Sequence, residues 1–387
     1  IVADALGPLS AGQMPDRWPL LADSSGNSER QAFQGSHNGK VMTGIDILSA
    51  DNFSPLKGLR VGLITNHTGR DSRGRRTLDL LRDAPGVKLT ALFSPEHGLS
   101  GREDGKIKST VEPTSALPLY SLYGSVRKPT EKMLSDLDAL VFDIQDAGVR
   151  FYTYISTMGY AMEAAAKKGI AFYVLDRPNP ITASSVQGPV MDGELRSFTG
   201  YFPLPVRHGM TVGELAEMFN TENGIGVNLH VVRMAGYKRS DWFDETGLLW
   251  VNPSPNLHSL TEAILYPAVA MVEGANVSVG RGTDTPFEVF GAPWINAERL
   301  AAYLNSRNIH GVSFSPADFV PNSNPYKKKG CHGVRITLTE RQGLDVAAMG
   351  IEIAAALHNL YPDDFQLHKT LGLIGSRSVL QAIKEGR

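Results

Sequence analysis

From Leu59 onward the chain alternates short runs of β-branched and apolar residues with longer segments of helical period. The runs Arg60 to Asn66 (RVGLITN), Val87 to Phe93 (VKLTALF), Leu117 to Tyr123 (LPLYSLY), Asp138 to Ile144 (DALVFDI) and Ile170 to Asp176 (IAFYVLD) read as strands. Helical patterns fall between them, over Thr77 to Arg82, Thr130 to Ser135 and Tyr152 to Lys168, the last carrying Ala161, Ala164, Ala165 and Ala166. Strands alternating with helices imply right-handed βαβ units around a parallel sheet covered on both faces. The predicted class is therefore α/β, a Rossmann-like parallel sheet with helices on both faces, followed by a smaller α+β domain.

The ends of the chain read differently. Residues 1–40 are rich in Ser, Gly, Pro and Asn, hold no sustained period, and have neither a basic start nor an apolar signal core. They read as a linker-like arm, either what a removed signal peptide leaves behind or an expression remnant. Residues 41–285 are expected to form the Rossmann-like catalytic domain and 286–387 the smaller one. In the latter, helical period over Ala297 to Ser306 and Val346 to Leu360 flanks a strand-like run from Gly333 to Thr339. The segment Asn322 to Cys331 (NSNPYKKKGC) is a loop expected to close over a cleft.

Composition narrows the function. A chain of 387 residues has room for two or three cores. Its 42 % apolar and 20 % charged content is that of a folded protein. A net charge of -2 makes no electrostatic case for nucleic acid. The basic run Lys327 to Lys329 reads as a solvated loop. No apolar run approaches the roughly 18 residues a membrane span needs. The single cysteine, Cys331, forbids an internal disulfide, and in an extended CHGVRITL its neighbour His332 faces the other way, against a Cys-His catalytic pair.

Ligands of such sheets bind beyond the carboxyl ends of the strands, so the residues just after each strand carry the chemistry. These are NHTG (Asn66 to Gly69), SPEHG (Ser94 to Gly98), QDAGVRFYTY (Gln145 to Tyr154) and RPNPI (Arg177 to Ile181). The turn TNHTGRDSRG after the first strand lacks the G-x-G-x-x-G through which backbone amides approach a pyrophosphate. Neither a Walker-type loop nor a G-x-S-x-G elbow is present, so no nucleotide cofactor and no serine-esterase chemistry is expected. The rim instead gathers Glu96, Asp143, Asp146 and Asp176 as carboxylates, beside His97. Arg150 and Arg177 can hold an anion, Asn66, Gln145 and Asn179 can hydrogen-bond hydroxyls, and Tyr152 and Tyr154 can stack on a sugar face. That mixture suits a polyhydroxyl substrate cleaved by proton donation, and glycoside hydrolysis usually needs a pair of carboxyl groups.

As an ordered set, GLITNHTG (Gly62 to Gly69), FSPEHGLSG (Phe93 to Gly101), SLYG (Ser121 to Gly124), FDIQDAGVRFYTYISTM (Phe142 to Met158), VLDRPNPI (Val174 to Ile181), VRHGMTVGELA (Val206 to Ala216), NPSPN (Asn252 to Asn256) and SVGRGTDTPFEVFGAPW (Ser278 to Trp294) resemble the exo-β-N-acetylmuramidase family. That glycoside hydrolase family was formerly carried as a domain of unknown function. The resemblance runs from about Gly44 to the C-terminus. It implies an enzyme removing N-acetylmuramic acid from the non-reducing end of peptidoglycan glycans or muropeptide disaccharides, with a Rossmann-like domain ahead of a smaller one. The family's proposed catalytic glutamate falls on Glu96. Such a substrate favours a periplasmic or extracellular setting. No oligomeric state is implied.

Candidate roles then divide. Glu96 is expected to donate a proton to the leaving glycosidic oxygen, with His97 orienting it. The second role falls either to an aspartate acting on water or sugar, or to the substrate's own N-acetyl group oriented by Asp143 or Asp146. Thr211 and Glu214 form a capping box, which leaves Arg207 and His208 ahead of that helix to face a cleft. Arg281 and Asp284 sit in a glycine-flanked loop. The lactyl carboxylate of muramic acid requires a cation, for which Arg281, Arg150 and Arg177 are the candidates because a planar guanidinium binds both oxygens. Two other readings stand beside this one. A metal-dependent hydrolase would gather His67, Glu96, His97, Asp143 and His208, although no H-E-x-x-H spacing is present and no metal is expected. A non-catalytic glycan-binding protein would use the same amides, arginines and tyrosines.

Overall fold

The computed structural model describes residues 41–103 and 108–386. The expected N-terminal arm, residues 1–40, lies outside them.

Seven strands form the larger sheet: β1 (Arg60–Thr65), β2 (Lys88–Ser94), β3 (Thr110–Val111), β4 (Pro118–Ser121), β5 (Ala139–Asp143), β6 (Ala171–Leu175) and β7 (Leu229–Val232). Their order is β3-β4-β2-β1-β5-β6-β7. All neighbours run parallel except β3, which pairs antiparallel with β4 at the edge. Leaving out β3, the six parallel strands follow the doubly wound order, with its switch point between β1 and β5.

Helices cover both faces. On one side α1 (Gly44–Ala50) and α2 (Thr77–Arg82) bury Ile45, Leu48, Leu78 and Leu81 against Val61, Leu63, Ala139 and Val141. On the other, α3 (Thr153–Lys168) and α4 (Val212–Glu222) bury Ile155, Met158, Leu215 and Phe219 in the same core as Ile64, Leu140 and Phe142. Alternate residues of β1 and β5 thus serve opposite layers, as the pleat requires. The expected helix over Thr130 to Ser135 is instead a series of turns across residues 131–136. A stretch that short does not recover the cost of helix nucleation by propagation.

The smaller unit is an antiparallel sheet of β8 (Val289–Ala292), β9 (Val312–Phe319) and β10 (Cys331–Leu338) in the order β8-β10-β9. Around it lie α5 (Leu260–Val269), α6 (Ala297–Ser306), α7 (Val346–Leu360), α8 (Leu371–Ile374) and α9 (Arg377–Lys384), with α5 packed on α7. One apolar core runs from Phe142 and Met158 of the large sheet layer through Leu265 to Phe290 and Val334 of the small one. The two units therefore meet over a shared interior. On β10, Cys331 is buried while His332 is exposed and bonds Asp318 at 2.6 Å.

Candidate active site

β2 ends at Ser94 and the chain turns at once. His97 (φ 67°) and Gly98 (φ 71°) both take left-handed backbone, uncommon for a residue with a Cβ. Two hydrogen bonds lock the turn: the Glu103 backbone amide donates to His97 O at 3.2 Å, and His97 Nδ1 lies 3.0 Å from Glu103 O. In this turn the Glu96 carboxylate reaches the N-terminus of α3, where Thr153 Oγ1 donates to its Oε2 at 2.5 Å.

Glu96 opens into a cleft of about 490 Å³, within the range of small-ligand pockets. The sheet contributes Glu96, His97 and the run Phe151 to Tyr154, and the wall facing them comes from Ser254, Asn256, Tyr266, Glu273, Arg281 and Phe287. Asn322, Ser323, Asn324 and Lys327 close one side, so the expected loop does reach the cleft. Aromatic rings form a continuous wall, with Tyr152 edge-on to Tyr154 at 4.8 Å and to Tyr266 at 5.9 Å, and Tyr266 edge-on to Phe287 at 4.8 Å. The Tyr154 hydroxyl donates to Pro253 O at 2.8 Å. Burial raises the Tyr152, Tyr154 and Tyr266 hydroxyls above the usual phenol range, so all three remain neutral donors.

Arg281 and Glu273 form a forked pair, Nε to Oε1 and Nη2 to Oε2, the second at 3.1 Å, with the guanidinium 5.1 Å from the Phe287 ring centre. Burial pulls the Arg281 pKa down, but the adjoining Glu273 carboxylate more than offsets this and holds it above its usual value.

Beside Tyr152 and Tyr154, Asp146 and His208 make a buried couple. Asp146 Oδ2 accepts from the Gly148 amide at 2.6 Å and stands 3.3 Å from His208 Nε2. His208 Nδ1 accepts from the Met210 amide at 3.2 Å, which leaves the ring proton on Nε2, facing Asp146.

Several expected site residues are placed elsewhere. Asp143 is fully buried and forked to Arg177, with Nε to Oδ1 at 2.6 Å and Nη2 to Oδ2 at 2.9 Å, and Thr77 Oγ1 also donates to its Oδ2. Neither it nor Arg177 lines the cleft. Arg150 is also fully buried, and its guanidinium donates to the carbonyls of Pro189, Leu204, Leu373 and Ile374. It ties the segment after α7 to the large domain, and burial pulls its pKa down to about 10. Asn179 is spent on Met210 O and the Ile181 amide, and Gln145 on the carbonyls of Asp146 and Pro178. Asn66 Oδ1 caps the Thr68 amide at 2.9 Å. Asp284 is exposed and outside the cleft lining. Asp176 accepts from Thr211 Oγ1 and the Gly213 amide at the start of α4, and burial raises its pKa to about 6. Glu214 reciprocates with Thr211 in the expected capping box.

His67 belongs to the scaffold of the loop after β2. Its Nε2 lies 2.6 Å from Asn252 O, and a Cβ on Gly101 would stand 1.9 Å from the ring. Burial lowers the His67 pKa, favouring the neutral ring. Among the described residues no three His, Cys, Asp or Glu side chains gather where they could hold a metal ion.

The cleft adds Thr153 from the run after β5, and it also contains residues that reading the strand ends alone does not find: Ser254, Asn256, Tyr266, Glu273 and Lys327. Asn256 carries a signal in the NPSPN motif, and Thr153 in its place beside Tyr152 and Tyr154. Glu273 and Tyr266 lie in a uniformly apolar region with no local pattern to mark them.

Known proteins share this architecture along most of its length. The chain matches the model of the exo-β-N-acetylmuramidase NamZ N-terminal domain over residues 61–261 and that of the NamZ C-terminal domain over residues 264–387. It is 46 % identical over 333 residues to the peptidoglycan β-N-acetylmuramidase NamZ of Bacillus subtilis, covering 86 % of this chain and 80 % of that one. Two crystal structures of DUF1343 family proteins from Bacteroides fragilis superpose with TM-scores of 0.83 and 0.71 at 39 % and 32 % identity, covering 90 % of this chain in each case and 92 % and 91 % of theirs. Sequence, fold and both domain matches agree, and the chain belongs to the exo-β-N-acetylmuramidase family of glycoside hydrolases.

Proposed function

We propose that this enzyme releases N-acetylmuramic acid from the non-reducing end of peptidoglycan fragments, with Glu96 as the general acid. The observation that carries the reading is the placement of one carboxylate, held by Thr153 and open to a cleft of about 490 Å³. A carboxyl group so placed can protonate a glycosidic oxygen, a contribution typically worth about 10²- to 10⁴-fold. Tyr152 and Tyr266 supply the flat apolar surface a pyranose ring packs on, and Ser254 and Asn256 supply hydroxyl partners.

Among the described residues the other carboxylate lining the cleft is Glu273, which is forked to Arg281. Acting as nucleophile or base would cost it that pair. This favours attack by the substrate's own N-acetyl group, a recognised departure from the two-carboxylate scheme. A cell-wall substrate favours a site of action in the periplasm or outside the cell.

Incubation with the β-linked disaccharide of N-acetylmuramic acid and N-acetylglucosamine tests this. Free N-acetylmuramic acid should appear, with the anomeric configuration retained in the first product seen by NMR, and a thiazoline mimic should inhibit. An intact disaccharide would overturn the assigned substrate. Inversion would overturn the assisted route.

A further inference from the structure

We infer that Lys327 reads the lactyl carboxylate and thereby sets the preference for muramic acid over glucosamine; this rests on the proposed function and deepens it. The two sugars differ only by a lactyl ether on O3, which adds one negative charge near neutral pH. A site that selects the charged sugar needs a cation whose charge is not already matched.

The arginines expected for this task are engaged. Arg150 is buried among four backbone carbonyls, and Arg177 is closed on Asp143. Arg281 does line the cleft, but Glu273 matches its charge. Lys327 also lines the cleft, and among the described residues no carboxylate pairs with it. Its exposure is what an ammonium awaiting an anion requires.

The loop bearing Lys327 is fixed from several directions. Asn322 N donates to Gly282 O at 3.1 Å, and a Cβ on Gly282 would stand 2.7 Å from Ser323 N, so the loop lies directly on the Arg281 turn. Tyr326, the residue before Lys327, donates its hydroxyl to Asn276 O at 3.0 Å and accepts from Trp294 Nε1 at 3.1 Å. Beyond it, Lys328 N donates to Pro321 O at 2.8 Å and Lys329 N to Tyr326 O at 2.9 Å. With the backbone fixed on both sides, the lysine stem loses less freedom when its ammonium meets an anion. The basic run that reads as solvent-facing in the sequence thus places its first lysine against the substrate cleft.

The test compares wild type, Lys327→Met and Lys327→Arg on two chromogenic glycosides, that of N-acetylmuramic acid and its lactyl-amide analogue, alike in shape but not in charge. For Lys327→Met, kcat/KM on the acid should fall at least about tenfold, mostly through KM, with little change on the amide. Lys327→Arg should recover most of it. Equal losses on the two glycosides, or no loss on the acid, overturns the inference, as does loss of acid-over-amide preference in Arg281→Met alone. Failure of the wild-type enzyme to cleave either glycoside would instead overturn the proposed function.

Discussion

Replacing Asp143 by asparagine should unfold the protein more readily without touching the chemistry. The carboxylate is fully buried and receives three side-chain donors, Arg177 Nε at 2.6 Å, Arg177 Nη2 at 2.9 Å and Thr77 Oγ1. Asparagine keeps one acceptor oxygen and turns an amide toward a guanidinium that is itself buried. Arg177 then carries an uncompensated charge in the interior. Breaking one side of a buried pair costs about 3–5 kcal/mol. For a chain of this size about 1 kcal/mol corresponds to about 2 °C, so the melting temperature should drop by about 6–10 °C. Below that temperature the folded variant should keep its kcat. The Asp143→Leu, Arg177→Met pair should regain much of the loss, since removing both charges removes the unpaired one. An unchanged melting temperature with kcat down a hundredfold would refute this, and return Asp143 to the catalytic role its place at the end of β5 suggests.

Two further outcomes follow from the same contacts. Asp176 has its pKa raised from 3.8 to about 6 by burial, so the folded state holds the proton more tightly than the unfolded chain; its contribution is fully present below about pH 4 and is lost as pH rises through about 6. Asp176→Asn, which can still accept from the Arg177 and Gly213 amides, should gain about 2–3 kcal/mol relative to wild type between pH 4 and pH 7 in urea unfolding, and a constant difference would count against it. Thr153→Val removes the donor that holds Glu96 and should lower kcat by about tenfold or more with KM little changed, while Thr153→Ser restores it; an unaltered kcat would show that the 2.5 Å contact positions nothing.

Much of the fold was legible because local pattern and tertiary position agree. The five expected strands fall within a few residues of β1, β2, β4, β5 and β6, and α2, α6 and α7 have the expected bounds. Where the pattern is silent, the reason is physical. Residues of α5 are nearly all buried and it carries Pro267, so no polar face marks the 3.6-residue period. β9 contains Pro316, which argues against a strand, yet it is an edge strand, where proline is tolerated.

The site was less legible than the fold. Strand ends point to the rim, where Glu96, His97, Tyr152 and Tyr154 line the cleft, but a rim also needs a foundation, and Asp143, Arg177, Gln145 and Asn179 hold the loops together. Arginine misleads most, because its five donors satisfy carbonyls as readily as carboxylates: Arg150 has four carbonyl partners, no short-range sign of which exists in GVRF. The opposite wall, with Tyr266, Glu273 and Lys327, joins the sheet only through the long-range packing of α5 and the small unit.

The most direct test of the account is the hydrolysis of two substrates by Glu96→Gln, which keeps the shape and the acceptor for Thr153 but has no proton to give. On the natural disaccharide, whose leaving sugar hydroxyl needs protonation, kcat/KM should fall about 10²- to 10⁴-fold, and on a nitrophenyl glycoside, whose leaving group departs as an anion, by far less. Near-normal hydrolysis of the disaccharide by a folded Glu96→Gln enzyme would contradict the assignment.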